Sequence, residues 1–132
     1  MGRGTARRGH RCAAHHGREA LRLDPALDSA ANNLAWILAT SPDPRVRNPE
    51  ESIHIMGHLL QEAERPHPAY LDTLAAAYAA AGRFSDAVDT ATRAEKLARE
   101  EQRRATAEQI RAHLARYRAG EPWIEHPAHD GN

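Results

Sequence analysis

The amino-acid sequence predicts an all-α protein, and three observations support this prediction. The chain has 132 residues, of which 27 are alanine, the residue with the strongest intrinsic helix preference. Aromatic residues make up only 5% of the chain, and β-branched side chains, which favour strands, are also scarce. Proline and glycine are gathered between alanine-rich runs of about 12–18 residues, a usual length for a globular helix.

Charge and cysteine content exclude several classes of protein. The chain carries 18 basic and 18 acidic residues, so no overall field attracts it to nucleic acid or to an anionic membrane. Cys12 is the single cysteine, which excludes an internal disulfide framework. No stretch approaches the roughly 20 apolar residues of a membrane span, and the basic N terminus lacks the apolar core of a secretory signal. We therefore expect a cytoplasmic protein that makes no membrane contact.

Helix breakers divide the chain into the expected elements. Helices are predicted at 12–24, 27–40, 49–64, 69–81, 85–99 and 103–119. The helix at 49–64 has the clearest periodicity, and the apolar residues of its expected buried face are Ile53, Met56, Leu59, Leu60 and Ala63. Asn48 is expected to cap this helix, Pro49 suits its first position, and Glu51 stands where the acid of a capping box belongs.

The next two helices are predicted from apolar stripes and from their end signals. The stripe of the helix at 69–81 is formed by Leu71, Leu74, Ala75 and Tyr78. Gly82 is expected to end this helix, and Ser85 is expected to cap the one that follows. The apolar positions of that following helix are Ala87, Val88, Ala91, Ala94 and Leu97.

The boundary between the last two helices does not follow from breakers. Residues 86–119 contain neither glycine nor proline, so the pattern allows one helix or two. A single helix of that length would be unusual in a small domain. Thr106 and Gln109 have the spacing of a capping box ahead of an apolar stripe formed by Ile110, Leu114 and Tyr117. We therefore place a break between Glu100 and Thr106.

Two segments of the chain repeat one another at an offset of 40 residues. Asn33-Leu34-Ala35 and Thr73-Leu74-Ala75 occupy equivalent places in two helices, and each helix is followed by a second amphipathic helix. The stretch from Arg22 to Pro25 looks like the end of another second helix, one unit upstream. The sequence thus predicts a chain organised in helix pairs.

At these positions the chain resembles the tetratricopeptide repeat family. The later copy carries the resemblance best, through Leu71, Leu74, Ala75, Tyr78, Gly82, Phe84, Ala87, Ala91 and Ala94. The earlier copy supplies Leu34, Ala35, Leu38, Ser52, Met56 and Leu59. It exceeds the family's repeat of about 34 residues by about six. We place the excess in Ser41–Asn48.

The resemblance implies a domain organisation and a fold. It implies a half repeat at 12–25, repeats at 26–65 and 66–100, and a capping helix at 103–119. Residues 1–11, which are basic, fit no repeat, and residues 120–132 have few apolar side chains to bury, so we expect both to form flexible tails. One helix pair cannot bury its apolar stripe alone, so neighbouring pairs stack. The expected fold class is therefore all-α, a short right-handed α-solenoid of antiparallel helix pairs. First helices should line its concave side and second helices its convex side.

Two histidines on one helix suggest a metal site, but the residues around them argue against it. His54 and His58 are four residues apart, and Glu50 and Glu62 extend the same face. Position 55 holds Ile instead of the glutamate that follows the first histidine in zinc-protease helices. Because the apolar residues take the buried side, we expect both histidines in solvent and no bound metal.

Neither the basic N-terminal segment nor the cysteine forms a complete site. Residues 1–18 carry five Arg and three His without an acid, which suits phosphates, but no aromatic residue is present to stack on a base. Cys12 has Arg11 and His15 nearby, yet no acid or amide completes a catalytic triad. We expect no nucleic-acid binding, no cofactor and no catalytic residue, and hence a protein that is not an enzyme.

The concave face is the predicted ligand-binding site. In the resembled family, peptides lie across the first helices, and an asparagine at the position of Asn33 often bonds the peptide backbone. The complete predicted set is Asn32, Asn33, Trp36, Thr40, Asp72, Thr73, Ala76 and Ala80. Trp36 would act as an apolar anchor and Asp72 would disfavour acidic ligands. In an alternative interpretation, Asn33 stiffens the packing and Trp36 covers a neighbouring helix.

From these features we expect a scaffold that binds a peptide or protein segment on its concave face. The alternative is the C-terminal repeat module of a larger enzyme or receptor whose functional part is absent. A third hypothesis is RNA binding through the basic residues 1–18. The helix at 13–24 lacks its own first helix, so self-association through Leu21 and Leu23 is a competing expectation.

Overall fold

The computed structural model describes residues 25–125, and within this range the chain forms five helices and no strand. The helices are α1 (Pro25–Thr40), α2 (Pro49–Glu62), α3 (Pro68–Ala80), α4 (Phe84–Glu100) and α5 (Arg104–Arg118). The all-α prediction is confirmed for these residues, and each helix begins and ends within two residues of its predicted bounds. The predicted helix at 12–24 and the predicted tail at 1–11 lie outside the described residues.

The five helices contact one another in a regular order. Each helix packs on the next one along the chain, and in addition α1 contacts α3 and α3 contacts α5. Among the described helices, the backbones of α2 and α4 do not approach each other, and neither do those of α1 and α5, which touch through the rings of Trp36 and His113. Hence α1, α3 and α5 follow one another in one layer, while α2 and α4 lie in a second layer.

Alanine forms the contact between α3 and α4. Ala75 on α3 and Ala87 and Ala94 on α4 are completely buried, as the sequence predicted for positions where helices touch. Small side chains let two helix backbones approach closely, and the larger residues of α5 fill the space beside them. These larger residues are Ile110, Leu114 and Tyr117. The core is therefore a set of thin seams between helices.

The contact between α1 and α2 differs in one respect from the prediction. The residues of α2 that are buried are Ser52, Ile55, Met56 and Leu59, whereas Ile53 and Leu60 are only half-buried. Ser52 can lie in the seam because its hydroxyl donates a hydrogen bond of 2.7 Å to the Ala35 carbonyl of α1. The helix is thereby rotated toward Ser52, and Ile55 replaces Ile53 in the core.

Three helices end in the same backbone turn. After α3, the Gly82 N–H bonds the Ala79 carbonyl and the Arg83 N–H bonds the Tyr78 carbonyl, which is the Schellman arrangement. The same pair of bonds ends α4 at Gln102 and α5 at Gly120. All three turn residues have positive φ, of 82° at Gly82, 60° at Gln102 and 75° at Gly120. The role predicted for Gly82 is confirmed.

The predicted N-terminal caps are confirmed at one helix and wrong at two. Asn48 caps α2, since its side chain accepts a hydrogen bond from the Glu51 N–H at 3.2 Å. Ser85 and Thr106 do not cap α4 and α5, because these helices begin earlier, after Arg83 and Arg103. Each of these arginines closes the turn of the preceding helix and directly precedes the next one. The connections are therefore shorter than the capping patterns suggested.

Candidate functional site

Helices α1, α3 and α5 contribute side chains to one shared surface. Trp36 comes from α1, Asp72 from α3 and His113 from α5, and the ring of His113 contacts both of the others. We call this surface the α1–α3–α5 face. The sequence predicted that Trp36 and Asp72 would belong to it, and the prediction missed His113.

His113 lies at the centre of the α1–α3–α5 face. Its Nδ1–H donates a hydrogen bond to the Asp72 carboxylate, with 2.9 Å between Nδ1 and Oδ1. Its ring centroid lies 5.4 Å from that of Trp36 and 4.3 Å from that of Trp123. The side chains of His113 and Asp72 are only 9% and 15% exposed. Asp72 is thus engaged by His113 and is not the free negative charge that the sequence argument assumed.

A signal in the sequence could have identified His113. It lies three residues after Ile110 and four before Tyr117, on the buried stripe of α5. A buried imidazole needs a hydrogen-bond partner. A histidine within an apolar stripe therefore indicates that a polar residue faces it from a neighbouring helix, although the stripe alone does not say which residue.

Tyr117 places a second polar group inside the same region. Its hydroxyl is buried and has no hydrogen-bond partner among residues 25–125. Burial raises the pKa of Tyr117, and the Asp72 carboxylate raises it further. The phenol is therefore neutral across the physiological range, and its ring contributes mainly to packing.

A short segment after α5 lies across the face. We call residues 121–125 the C-terminal strap. Its Trp123 packs on the His113 ring, and the Trp123 Nε1–H donates a hydrogen bond of 3.1 Å to the Glu125 carboxylate. The Glu125 backbone N–H donates a 2.8 Å hydrogen bond to the Thr40 carbonyl at the end of α1. Residues 120–132 were expected to form a flexible tail, whereas the strap is held at both of these points.

The strap has the length needed to connect the two outer helices of the layer. The backbones of α1 and α5 do not approach each other, although the rings of Trp36 and His113 are in contact, and α3 packs on both helices. Two neighbouring helix spacings amount to about 16–20 Å. Five residues in an extended conformation span about 17 Å. Five residues are therefore enough to reach from the end of α5 to the end of α1, where the Glu125 N–H bonds the Thr40 carbonyl.

The remaining predicted site residues differ in accessibility. Asn33 is exposed, whereas Asn32 and Ala80 are half-buried. Thr73 is buried, as is Ala76, which lies in one cluster with Ala39 and Ala77 against which Trp36 packs. These buried residues cannot line an open surface.

The two threonines of the predicted set offer no free hydroxyl. The Thr40 hydroxyl donates to the Trp36 carbonyl at 2.7 Å, and the Thr73 hydroxyl donates to the Ala69 carbonyl at 3.1 Å. Thr40 contributes its backbone carbonyl to the strap instead. Thr73 and Asn33, which hold equivalent positions in the predicted repeat, differ in exposure. Helix α3 packs on both α1 and α5, whereas α1 packs on α3 but not on α5.

Other candidate sites find little support within the described range. No group of three or more His, Cys, Asp or Glu among residues 25–125 could hold a metal ion. His54 is exposed as expected, but His58 is half-buried, and its Nε2 has no partner in this part of the chain. None of the helices α1 to α5 is sufficiently long and apolar to traverse a bilayer. Cys12 and the basic residues 1–18 lie outside the described residues.

The chemistry of the α1–α3–α5 face suits recognition of a chain segment. It offers an aromatic platform, formed by Trp36 and a histidine ring whose orientation Asp72 fixes, and a backbone acceptor at Thr40. Aromatic side chains bind through large apolar area at small entropic cost, and a carbonyl bonds any backbone N–H. Comparison of the chain with protein-family models, curated proteins and solved structures gives no significant match.

Proposed function

We propose that this chain is a helical-repeat scaffold of the tetratricopeptide type that binds an extended peptide segment across its α1–α3–α5 face. The order of helix contacts supports the repeat organisation, since α1 with α2 and α3 with α4 would form successive pairs and α5 would cap them. In a stack of such pairs, the first helices line the concave side. The α1–α3–α5 face would then be the concave face.

One observation carries the proposal of peptide binding. The C-terminal strap already lies on this face as a peptide would, with an aromatic anchor on His113 and a main-chain hydrogen bond to Thr40. A surface that accommodates an extended segment of its own chain has the shape and hydrogen-bonding groups for a similar segment of another chain. Peptide recognition commonly combines such backbone bonds with a side-chain pocket.

The same geometry argues against catalysis by the His113–Asp72 pair. A general base must reach a proton of the substrate within hydrogen-bond distance. His113 directs Nδ1 to Asp72, and Trp36 and Trp123 both pack against its ring. The nearby threonine hydroxyls of residues 40 and 73 are engaged by backbone carbonyls. We therefore propose a binding protein and not an enzyme.

The proposal is tested by selecting ligands for the face. A displayed library of random peptides is panned against the full chain carrying Trp123→Ala, which frees the face, and the selected peptides are measured by fluorescence polarisation. Adding Trp36→Ala should weaken binding more than tenfold, because removing an anchor aromatic typically costs about 2 kcal/mol or more. Adding Asn33→Ala, at an exposed position, should weaken binding while leaving the fold unchanged.

Arg93→Ala provides the matched control. Arg93 is exposed on α4, in the other helix layer, so this change should alter peptide affinity by less than about twofold. Variants are compared only where circular dichroism shows the same helix content. Failure to select any peptide, or selected peptides indifferent to both Trp36 and Asn33, would contradict the proposal.

A further inference from the structure

The C-terminal strap contacts the α1–α3–α5 face in the way that a bound peptide would, through a turn, an aromatic anchor and a backbone hydrogen bond. The positive φ of Gly120 and the bond from the Glu121 N–H to the Arg116 carbonyl turn the chain at the end of α5. Trp123 then packs against the core cluster of α3, α4 and α5 as well as on His113. The backbone bond at Glu125 attaches the strap to α1, whose backbone does not approach that of α5.

The strap also shows which peptide chemistry the face accepts. The 3.1 Å hydrogen bond from the Trp123 indole to the Glu125 carboxylate brings the side chains of residues 123 and 125 to the same side of the strap. Residues two apart share a side in an extended segment, in which side chains alternate. The indole is thereby held in orientation by an acceptor of its own segment, and it presents its ring to the imidazole. A segment with an aromatic residue, any residue and then an acidic residue has these properties.

We infer that the C-terminal strap is a built-in ligand of the α1–α3–α5 face. Partners of the face would be extended segments of the same aromatic-x-acidic chemistry, and they would bind by displacing the strap. This inference rests on the proposed function and adds to it the ligand class and the competition. The ligand's aromatic ring takes the place of Trp123 on His113, and the N–H of its acidic residue bonds the Thr40 carbonyl.

Covalent attachment gives the strap a concentration advantage over any free segment. A segment joined to its site by a short connection has an effective concentration of the order of millimolar. A free peptide of the same sequence therefore binds the wild-type chain weakly, even if it fits the open face well. Weakening the strap alone should increase the affinity for that peptide.

The test uses a labelled synthetic peptide with the sequence Gly-Glu-Pro-Trp-Ile-Glu, blocked at both ends, and the full-length protein. Fluorescence polarisation should show at least tenfold tighter binding to the Trp123→Ala chain than to wild type.

A second pair of variants weakens the strap while Trp123 stays in place. Glu125→Pro removes both the N–H that bonds Thr40 and the carboxylate that holds the indole, and it should also tighten binding. Glu125→Ala keeps that N–H and loses only the carboxylate, so it should tighten binding less than Glu125→Pro.

The peptide has its own control, in which alanine replaces its tryptophan and binding should be lost. If neither Trp123→Ala nor Glu125→Pro binds the peptide more tightly than wild type, the inference is overturned. If that test fails but selected library peptides still bind through Trp36, the proposed function stands and only the role of the strap as a built-in ligand is rejected. If no library peptide binds either, the proposed function and the role of the strap are both rejected. Analytical ultracentrifugation should show a monomer. A dimer that Trp123→Ala abolishes would show instead that the strap of one chain binds the α1–α3–α5 face of a second copy, and it would contradict the inference.

Discussion

His113 illustrates how a polar side chain is accommodated in an alanine-rich core. Its ring is buried, and Asp72 satisfies one nitrogen with a hydrogen bond of 2.9 Å. Without that bond, burial of the imidazole would cost about 1–3 kcal/mol. The indoles of Trp36 and Trp123 pack against the ring. A side chain held in this way is a fixed platform, which is the property that a binding surface requires.

His67 makes the stability of the protein depend on pH. Its Nδ1 accepts a hydrogen bond from the Ala69 N–H at 3.1 Å, so it caps α3 only while that nitrogen is unprotonated. Burial lowers the pKa of His67 from its ordinary 6.5, and Arg103 lowers it further against an opposing effect of Glu101. The unfolded chain thus binds the proton more readily. The contribution is present above about pH 6.5 and is lost as the pH falls through the lowered pKa.

We therefore expect His67→Asn to flatten the fall in Tm between about pH 7 and pH 5. Asparagine keeps a side-chain acceptor at the cap but does not titrate in this range. His54→Asn is the matched control, because His54 is an exposed histidine of α2, and its slope should stay close to that of wild type. Melting followed by circular dichroism measures all three proteins. Equal slopes would contradict the role of His67.

At the scale of helices, the turn after α4 stores backbone strain. Gln102 has a φ of 60°, whereas glycine occupies the equivalent turns at Gly82 and Gly120. A side chain in this left-handed region costs about 1 kcal/mol. Gln102→Gly should therefore raise the free energy of unfolding by about 0.5–1 kcal/mol in urea denaturation.

The reverse exchange supplies the control for this prediction. Apart from the adjoining residues, no atom lies within 4 Å of the position that a β-carbon would take at Gly82, so an alanine there meets only the backbone penalty. Gly82→Ala should accordingly lower the free energy of unfolding by about 1 kcal/mol. A destabilising Gln102→Gly would show that the glutamine side chain, and not the turn conformation, determines stability at this position.

The contact between α3 and α4 should tolerate no larger side chain. Ala87 is completely buried in that seam, so Ala87→Leu would force the helices apart and lower the free energy of unfolding by about 1–3 kcal/mol. Ala112→Leu makes the same change at an exposed position of α5 and should be close to neutral. Thermal or urea unfolding compares the two. An unchanged stability for Ala87→Leu would disprove the helix register described above.

The sequence was sufficient to predict the helices but not all of their ends. Breakers and apolar periodicity are local signals, and they located all five described helices within two residues. Ser85 and Thr106 failed as caps because a single arginine both closes one helix and precedes the next, which local patterns do not reveal. Trp36 and Asp72 were predicted for one face because the resemblance assigns ligand binding to the first helices, and helix spacing places both residues on that face.

The rest of the candidate site depends on contacts between distant parts of the chain. Asp72 and His113 are 41 residues apart in sequence, and Glu125 bonds a carbonyl at Thr40. Such pairings are set by how helices pack, and no local pattern encodes them. A tail with few apolar residues was expected to be flexible, and its Trp123 became an anchor only because the folded chain presents His113 to it.

At the scale of the whole molecule, the strap adds a backbone link between helices that otherwise touch through the rings of Trp36 and His113. Within the layer of α1, α3 and α5, the backbones of the two outer helices approach that of α3 but not each other, and the strap joins these outer helices. Binding of a partner segment in place of the strap would remove that link while making the same contacts. Binding of a partner segment and binding of the strap are therefore expected to use the same surface, the α1–α3–α5 face.

An NMR titration tests this central claim most directly. The uniformly ¹⁵N-labelled full-length chain with Trp123→Ala is titrated with the blocked Gly-Glu-Pro-Trp-Ile-Glu peptide. We predict chemical-shift changes confined to the α1–α3–α5 face, led by the Trp36 indole N–H, the Asn33 side-chain amide and the backbone N–H of Ser41, whose peptide bond contains the Thr40 carbonyl. Signals of Arg93 and Lys96 on α4 should stay in place. Shifts absent from the face, or spread over α2 and α4, would contradict it.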